Sequence, residues 1–169
     1  LWQHALATAF LCRLVAMETG QGVGSRYYAL GLMHDIGKVL LLHSAAELLK
    51  KARSSNFESI PIADTITAID DHHNVFGAAL LKRWRFTAVF SEVAEQHDRR
   101  QLGSGSSIEV RVVALASTIA NEIGYGTQPA SGQDLVALAA DYNLNVDQAA
   151  LERLGEEVRR LMQAAIDLL

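Results

Sequence analysis

Histidines interrupt the apolar stripes of this chain at helical spacing, and that pattern fixes its fold class. Ile62, Ile66, Ile69 and His73 recur at steps of four, three and four, and Gly77, Leu80 and Trp84 extend the same line. Residues so spaced share one face of an α-helix, whereas a strand alternates at every second position. His73 therefore lies on the apolar side of its helix, with His72 about a hundred degrees away around it. No stretch shows convincing alternation. Proline, the strongest helix breaker, occurs only at Pro61 and Pro129. The chain is expected to be all-α.

The first segment, Trp2 to Thr19, sets His4, Thr8, Leu11 and Val15 on one face and stops at Gly20 and Gly22. The second starts with Ser25 as N-cap, aligns Tyr27, Leu30 or Gly31, and His34, and is expected to break near Gly37. A third continues through Leu40, Leu41 and Leu48 to about Arg53, and Pro61 opens the fourth as a first-turn residue. Ala88 to His97 aligns Phe90, Val93 or Ala94, and His97. Val110 to Ile123 and Asp134 to Ala140 follow. The last helix, Asp147 to Leu169, sets Leu151, Leu154, Val158, Leu161, Met162 and Ala165 on one face. That face reads first as core, with homodimerisation as the alternative. The polar stretches 98–107 and 124–132 read as loops, because neither flanking half can bury its own apolar faces.

At 169 residues the chain fits one domain, 1–169, large enough for a sizeable core. Half of its residues are hydrophobic, which excludes disorder over most of its length. A net charge of −4 argues against a general nucleic-acid binder. The single cysteine, Cys12, excludes an internal disulfide and reads as a small buried hydrophobe. No apolar run reaches the length of a membrane span, and no secretory signal is present, so the expected location is the cytoplasm. The chain enters a helical pattern directly at Leu1, so it reads as a piece of a longer protein with room upstream for a targeting segment.

The chemistry concentrates at Gly31-Leu32-Met33-His34-Asp35-Ile36-Gly37-Lys38. Neutral imidazole suits zinc, iron and other transition ions, and carboxylate suits magnesium and manganese. An adjacent His-Asp pair can hold one ion from two sides or bridge two, given further ligands. Three other segments each turn a histidine inward: His4, His73 and His97. Burying four unrelated imidazoles costs desolvation four times over unless they meet partners. One polar centre completed by Asp35 is the economical expectation. His43 and His72 read as surface or boundary residues.

In residue order the chain resembles the HD superfamily of metal-dependent phosphohydrolases, and more closely the HDOD domain, a signalling relative of the HD-GYP cyclic-di-GMP phosphodiesterases. The resemblance is carried by Leu1-Trp2-Gln3-His4, by Ala29-Leu30 through Lys38, and by His73-Asn74-Val75-Phe76-Gly77-Ala78-Ala79-Leu80-Leu81-Lys82-Arg83-Trp84. Glu95-Gln96-His97-Asp98 and Val113-Ala114-Leu115-Ala116-Ser117 follow in the expected order. It implies an all-helical HD-like bundle, and it places His4, His34, Asp35, His73 and His97 where the catalytic relatives have metal ligands. Lys38 falls where those enzymes hold a lysine close to the substrate phosphate. The departures weigh as much. Ser117 stands in the place of the last aspartate ligand, Asp98 in that of a histidine, and Arg99-Arg100-Gln101-Leu102-Gly103 carries no Gly-Tyr-Pro signature.

The resemblance therefore implies a bacterial signal-transduction domain with a degenerate site, acting through bound proteins, fused signalling modules or a nucleotide ligand. The alternative is a metal-dependent phosphohydrolase acting on a nucleotide or cyclic dinucleotide, with Asp35 and Lys38 in its machinery. A divalent ion (Fe, Mn, Zn or Mg) is the implied cofactor, or the centre is empty. Arg99 and Arg100, on a glycine-containing loop, are the candidates for a phosphorylated ligand. The clusters Lys50-Lys51-Arg53, Lys82-Arg83-Arg85 and Arg159-Arg160 read as solvated helix faces. No nucleophile elbow, phosphate-binding loop, zinc-finger spacing or heptad array occurs.

Overall fold

The computed structural model describes residues 1–22, 24–54, 61–99, 102, 105–126 and 129–168. Its elements are α1 (Trp2–Glu18), α2 (Ser25–Met33), α3 (Ile36–Ser54), α4 (Ile62–Arg83), α5 (Ala88–Gln96), α6 (Ile108–Ala120), a π-helical turn (Asn121–Tyr125), α7 (Leu135–Asp141) and α8 (Gln148–Ile166). No strand occurs among the described residues. Among the described residues the fold is all-α. The chain forms two compact units, one of residues 1–33 with 96–169 and one of residues 34–95.

In the first unit, α1 packs against α2, α6 and α8. Being covered on several sides, it buries Ala7, Ala9, Leu11, Cys12, Val15 and Ala16 rather than one stripe. The α1–α2 crossing is made close by Gly31: a Cβ there would lie 2.8 Å from the Ala9 Cα, the Cys12 Sγ and the Thr8 carbonyl oxygen. Helix α6 is apolar around most of its girth and is buried from Val112 to Ala116. Helix α8 is amphipathic, with Leu151, Leu154, Val158 and Met162 inside and its charged residues outside. Burying each of the larger of these side chains contributes roughly 1.5–3 kcal/mol.

The ends of these helices follow local chemistry. Ser107, Asp134 and Asp147 each accept a hydrogen bond from a first-turn N–H, at 3.4, 3.0 and 2.7 Å from Val110, Val136 and Ala150 respectively. Gly20 and Gly22, at φ +72° and +93°, carry the chain out of α1 in a conformation costly for other residues. Arg111 of α6 donates to the Tyr142 carbonyl at 2.9 Å and so ties down the turn after α7.

In the second unit, α3 and α4 cross where two glycines face each other. A Cβ on Gly37 would overlap the His73 carbonyl oxygen, and the Gly37 nitrogen lies 3.2 Å from the Cβ position of Gly77. Ile69, His73, Gly77, Ala78 and Leu81 form the buried side of α4, and α5 contributes Val93 and Ala94. Arg85, at φ +60°, turns the chain after α4, and Phe86 then packs tilted against Phe90 with ring centroids 5.0 Å apart.

Three local expectations are corrected. The second helix ends at Met33 and α3 begins at Ile36, so the break falls at His34-Asp35 and not near Gly37. Gly37 serves close packing, not chain termination. Ser25 is the first residue of α2, inside the helix and not its N-cap. The α4 stripe is buried only between Ile69 and Leu81: Ile62, Ile66 and Trp84 are 70%, 52% and 52% exposed. The apolar repeat runs past the turns that pack.

Candidate metal centre

The second unit supplies a carboxylate between two imidazoles. Asp35 sits at the N-terminal end of α3, where the helix dipole favours negative charge, and its carbonyl accepts from the Lys38 N–H at 2.9 Å. His34 precedes it, and the glycine-tight α3–α4 crossing brings His73 alongside. The His34 Nε2 lies 3.6 Å from the Asp35 Oδ2, and the His73 Nε2 lies 3.3 Å from the Asp35 Oδ1. The Lys38 ammonium stands 3.0 Å from the same Oδ2 that faces His34.

Ligand bonds of about 2.0–2.2 Å put two donors on one ion roughly 3.0–3.5 Å apart, close to both imidazole–carboxylate separations. Each buried pair, His34 with Asp35 and His73 with Asp35, is thus spaced as two ligands of one divalent ion would be. The second ring nitrogen of His73 strengthens the fit. Its Nδ1 lies 2.7 Å from the Asp70 carbonyl oxygen, which can only accept, so Nδ1 carries the proton. In the neutral ring Nε2 then presents its lone pair to Asp35, in the orientation a metal-ligating histidine takes. The same surroundings govern its proton. Burial pushes the His73 imidazolium down and Lys38 opposes it too, but the hydrogen bond and charge of Asp35, with the Asp70 carbonyl, outweigh them and raise its pKa.

The first unit holds His4, the third residue of α1, and Ser117 of α6. The Ser117 Oγ lies 3.3 Å from the His4 Nε2. The Ser117 hydroxyl is therefore engaged with one of the expected ligands. His97, just past α5, is buried. All four expected inward histidines are: His4, His34, His73 and His97 are 4%, 2%, 2% and 5% exposed, and Asp35 is 5% exposed. His43 and His72 are at the surface, as expected.

Arg99 is exposed, two residues beyond His97. Arg100 and Gln101 lie outside the described residues, as does the Arg53 side chain. Lys82, Arg83, Arg85, Arg159 and Arg160 are solvated; Arg160 pairs with Glu157 at 2.7 Å and Lys82 approaches Glu95 at 3.9 Å. The Asp70 carbonyl was not foreseeable as part of the site, since any residue there would supply it. Its only signal is the three-residue offset to His73.

The family model for the HDOD domain matches residues 1–100. The chain belongs to the HDOD family. Every expected ligand lies inside the matched span of this HDOD domain, and Ser117 lies beyond it. Among solved structures the domain is similar to the crystal structure of a candidate phosphohydrolase from Shewanella amazonensis, at 17% identity and a TM-score of 0.62. The match covers 95% of this chain and 58% of that one. At that identity the likeness bears on fold alone. No curated protein matches. No described helix is long and apolar enough to cross a membrane.

Proposed function

We propose that this HDOD domain is a regulatory output module of bacterial cytoplasmic signalling that retains the HD scaffold without its hydrolysis. The supporting observation is Ser117, whose hydroxyl engages the His4 Nε2 at 3.3 Å where a catalytic relative would offer a carboxylate. A neutral hydroxyl neither offsets the charge of a second ion nor binds it firmly. The domain then acts through contacts with signalling proteins or fused signalling domains, tuned by a nucleotide or ion at its histidines. His4, His34, Asp35, His73 and His97 are the proposed ligands, and Lys38, Arg99 and Arg100 the proposed contacts for a phosphorylated ligand.

A second reading has its own support in the second unit. Asp35 between two imidazoles, with the Lys38 ammonium at 3.0 Å, is a sound core for a metal-dependent phosphohydrolase of nucleotides. A bound divalent ion would supply a water of lowered pKa and positive charge against phosphate oxygens. Elemental analysis of chain purified without chelator, paired with a nucleotide and cyclic-dinucleotide hydrolysis screen in added manganese or iron, separates the two. The regulatory reading expects no turnover. Turnover that disappears in Asp35→Ala would overturn it.

A further inference from the structure

Asp35 has two oxygens, and they face different neighbours. The His73 Nε2 faces Oδ1 at 3.3 Å, whereas Oδ2 is shared by the His34 Nε2 at 3.6 Å and the Lys38 ammonium at 3.0 Å. An ion taken up by His34 and Oδ2 therefore comes to an oxygen that already carries a cation. Both positive charges would sit in a pocket where the carboxylate side chain is 6% exposed and the lysine 16% exposed, so solvent screens their repulsion little.

The place of the lysine in its helix points the same way. Lys38 is the third residue of α3, in the first turn, where the helix dipole disfavours positive charge. A largely buried ammonium is costly there unless a specific anion compensates it. Asp35, three residues earlier and 3.0 Å away, is that anion. The pair is thus built to be neutral with no ion present.

We propose that Lys38 is a tethered counter-cation for Asp35 that holds the Oδ2 side of the centre in the metal-free protein and weakens divalent-ion binding there. The inference rests on the reading of His34 and Asp35 as metal ligands. Removing the charge while keeping the apolar stem, as in Lys38→Met, frees Oδ2 for an ion. Keeping the charge, as in Lys38→Arg, leaves the competition in place.

The test is Mn²⁺ titration of the chelator-stripped full chain, followed by electron paramagnetic resonance and by melting temperature. Lys38→Met is expected to bind Mn²⁺ at least tenfold more tightly than the wild type, and Lys38→Arg within about threefold of it. The melting temperature of Lys38→Met is expected to fall without metal and to recover with it. Equal or weaker Mn²⁺ binding by Lys38→Met than by the wild type would overturn the inference while leaving the metal-centre reading intact. If neither protein binds Mn²⁺ at millimolar concentration, while both melt cooperatively, the metal-centre reading itself fails. Should Lys38→Met fold only when expressed with manganese, the inference is supported; failure to fold even then overturns it.

Discussion

The Ser117 hydroxyl lies 3.3 Å from the His4 Nε2, joining two residues of the first unit that are 113 positions apart. That bond gives His4 an uncharged partner. A carboxylate at 117 would add both a negative charge and a ligand atom beside His4. Ser117→Asp is therefore expected to raise the metal content of protein purified without chelator and to tighten Mn²⁺ binding at least about tenfold, the effect expected of a lost or regained ligand contact. Calorimetric titration with elemental analysis reads this directly. Unchanged metal content in a folded variant would show that Ser117 is not what limits the site.

Gly37 is expected to be among the least replaceable residues of the second unit. A Cβ there meets the His73 backbone carbonyl, and backbone cannot swing aside as a side-chain tip can. Gly37→Ala would gain about 0.8–1 kcal/mol of helix propensity, yet overpacking typically costs 1–3 kcal/mol, and more where backbone must move. Urea denaturation should show a clear net loss. Gly105→Ala, with nothing within 4 Å of its Cβ, is the control and should change stability by less than about 0.5 kcal/mol. Equal stabilities for both variants would contradict the close crossing.

Much of this arrangement could be read from the chain, and what could not has identifiable causes. Apolar period located α1, stopped by its two glycines, and also α7 and α8, whose expected first residues, Asp134 and Asp147, prove to be their N-caps. The same period placed His4, His34, His73 and His97 inside, because an imidazole on an apolar stripe has nowhere else to go. Gly37 misled because a glycine near a helix end and a glycine at a helix crossing look alike in one dimension. The α4 stripe misled at its ends because a periodic pattern does not say where its partner stops. Ser117 could be recognised as a departure, but its bond to His4 depends on two helices meeting and leaves no trace in local sequence.

Cys12 offers a reporter for the core of the first unit. It is fully buried between α1 and α2, and burial pushes its thiol well above the ordinary range. The reactive thiolate is therefore scarce and inaccessible in the folded chain. Labelling by a disulfide reagent at pH 8 should run at least about a hundredfold slower than in urea, because it must wait for opening of the core. Complete labelling within the time that a small-molecule thiol takes would contradict the packing of Cys12 against Gly31.

Glu122 should make the first unit's stability depend on acid in a way that one substitution can isolate. Its carboxylate accepts from the Ser131 hydroxyl at 2.5 Å, the Ser131 N–H at 2.8 Å and the Gly132 N–H at 2.9 Å, pinning the segment before α7. The Ser131 hydroxyl, with the backbone N–H groups and against a smaller opposing effect of burial, lowers the Glu122 pKa. A depressed carboxyl pKa stabilises the fold above the pKa of the unfolded chain, and that contribution disappears as pH falls through the folded value. Wild type and Glu122→Gln should therefore differ in melting temperature at pH 7 and converge as the pH is taken below about 4, near the ordinary glutamate range. Gln keeps one acceptor oxygen, so the difference at neutral pH is expected to be a few degrees at most. A gap that stays constant from pH 7 to pH 3 would mean that the clamp acts through shape and not through charge.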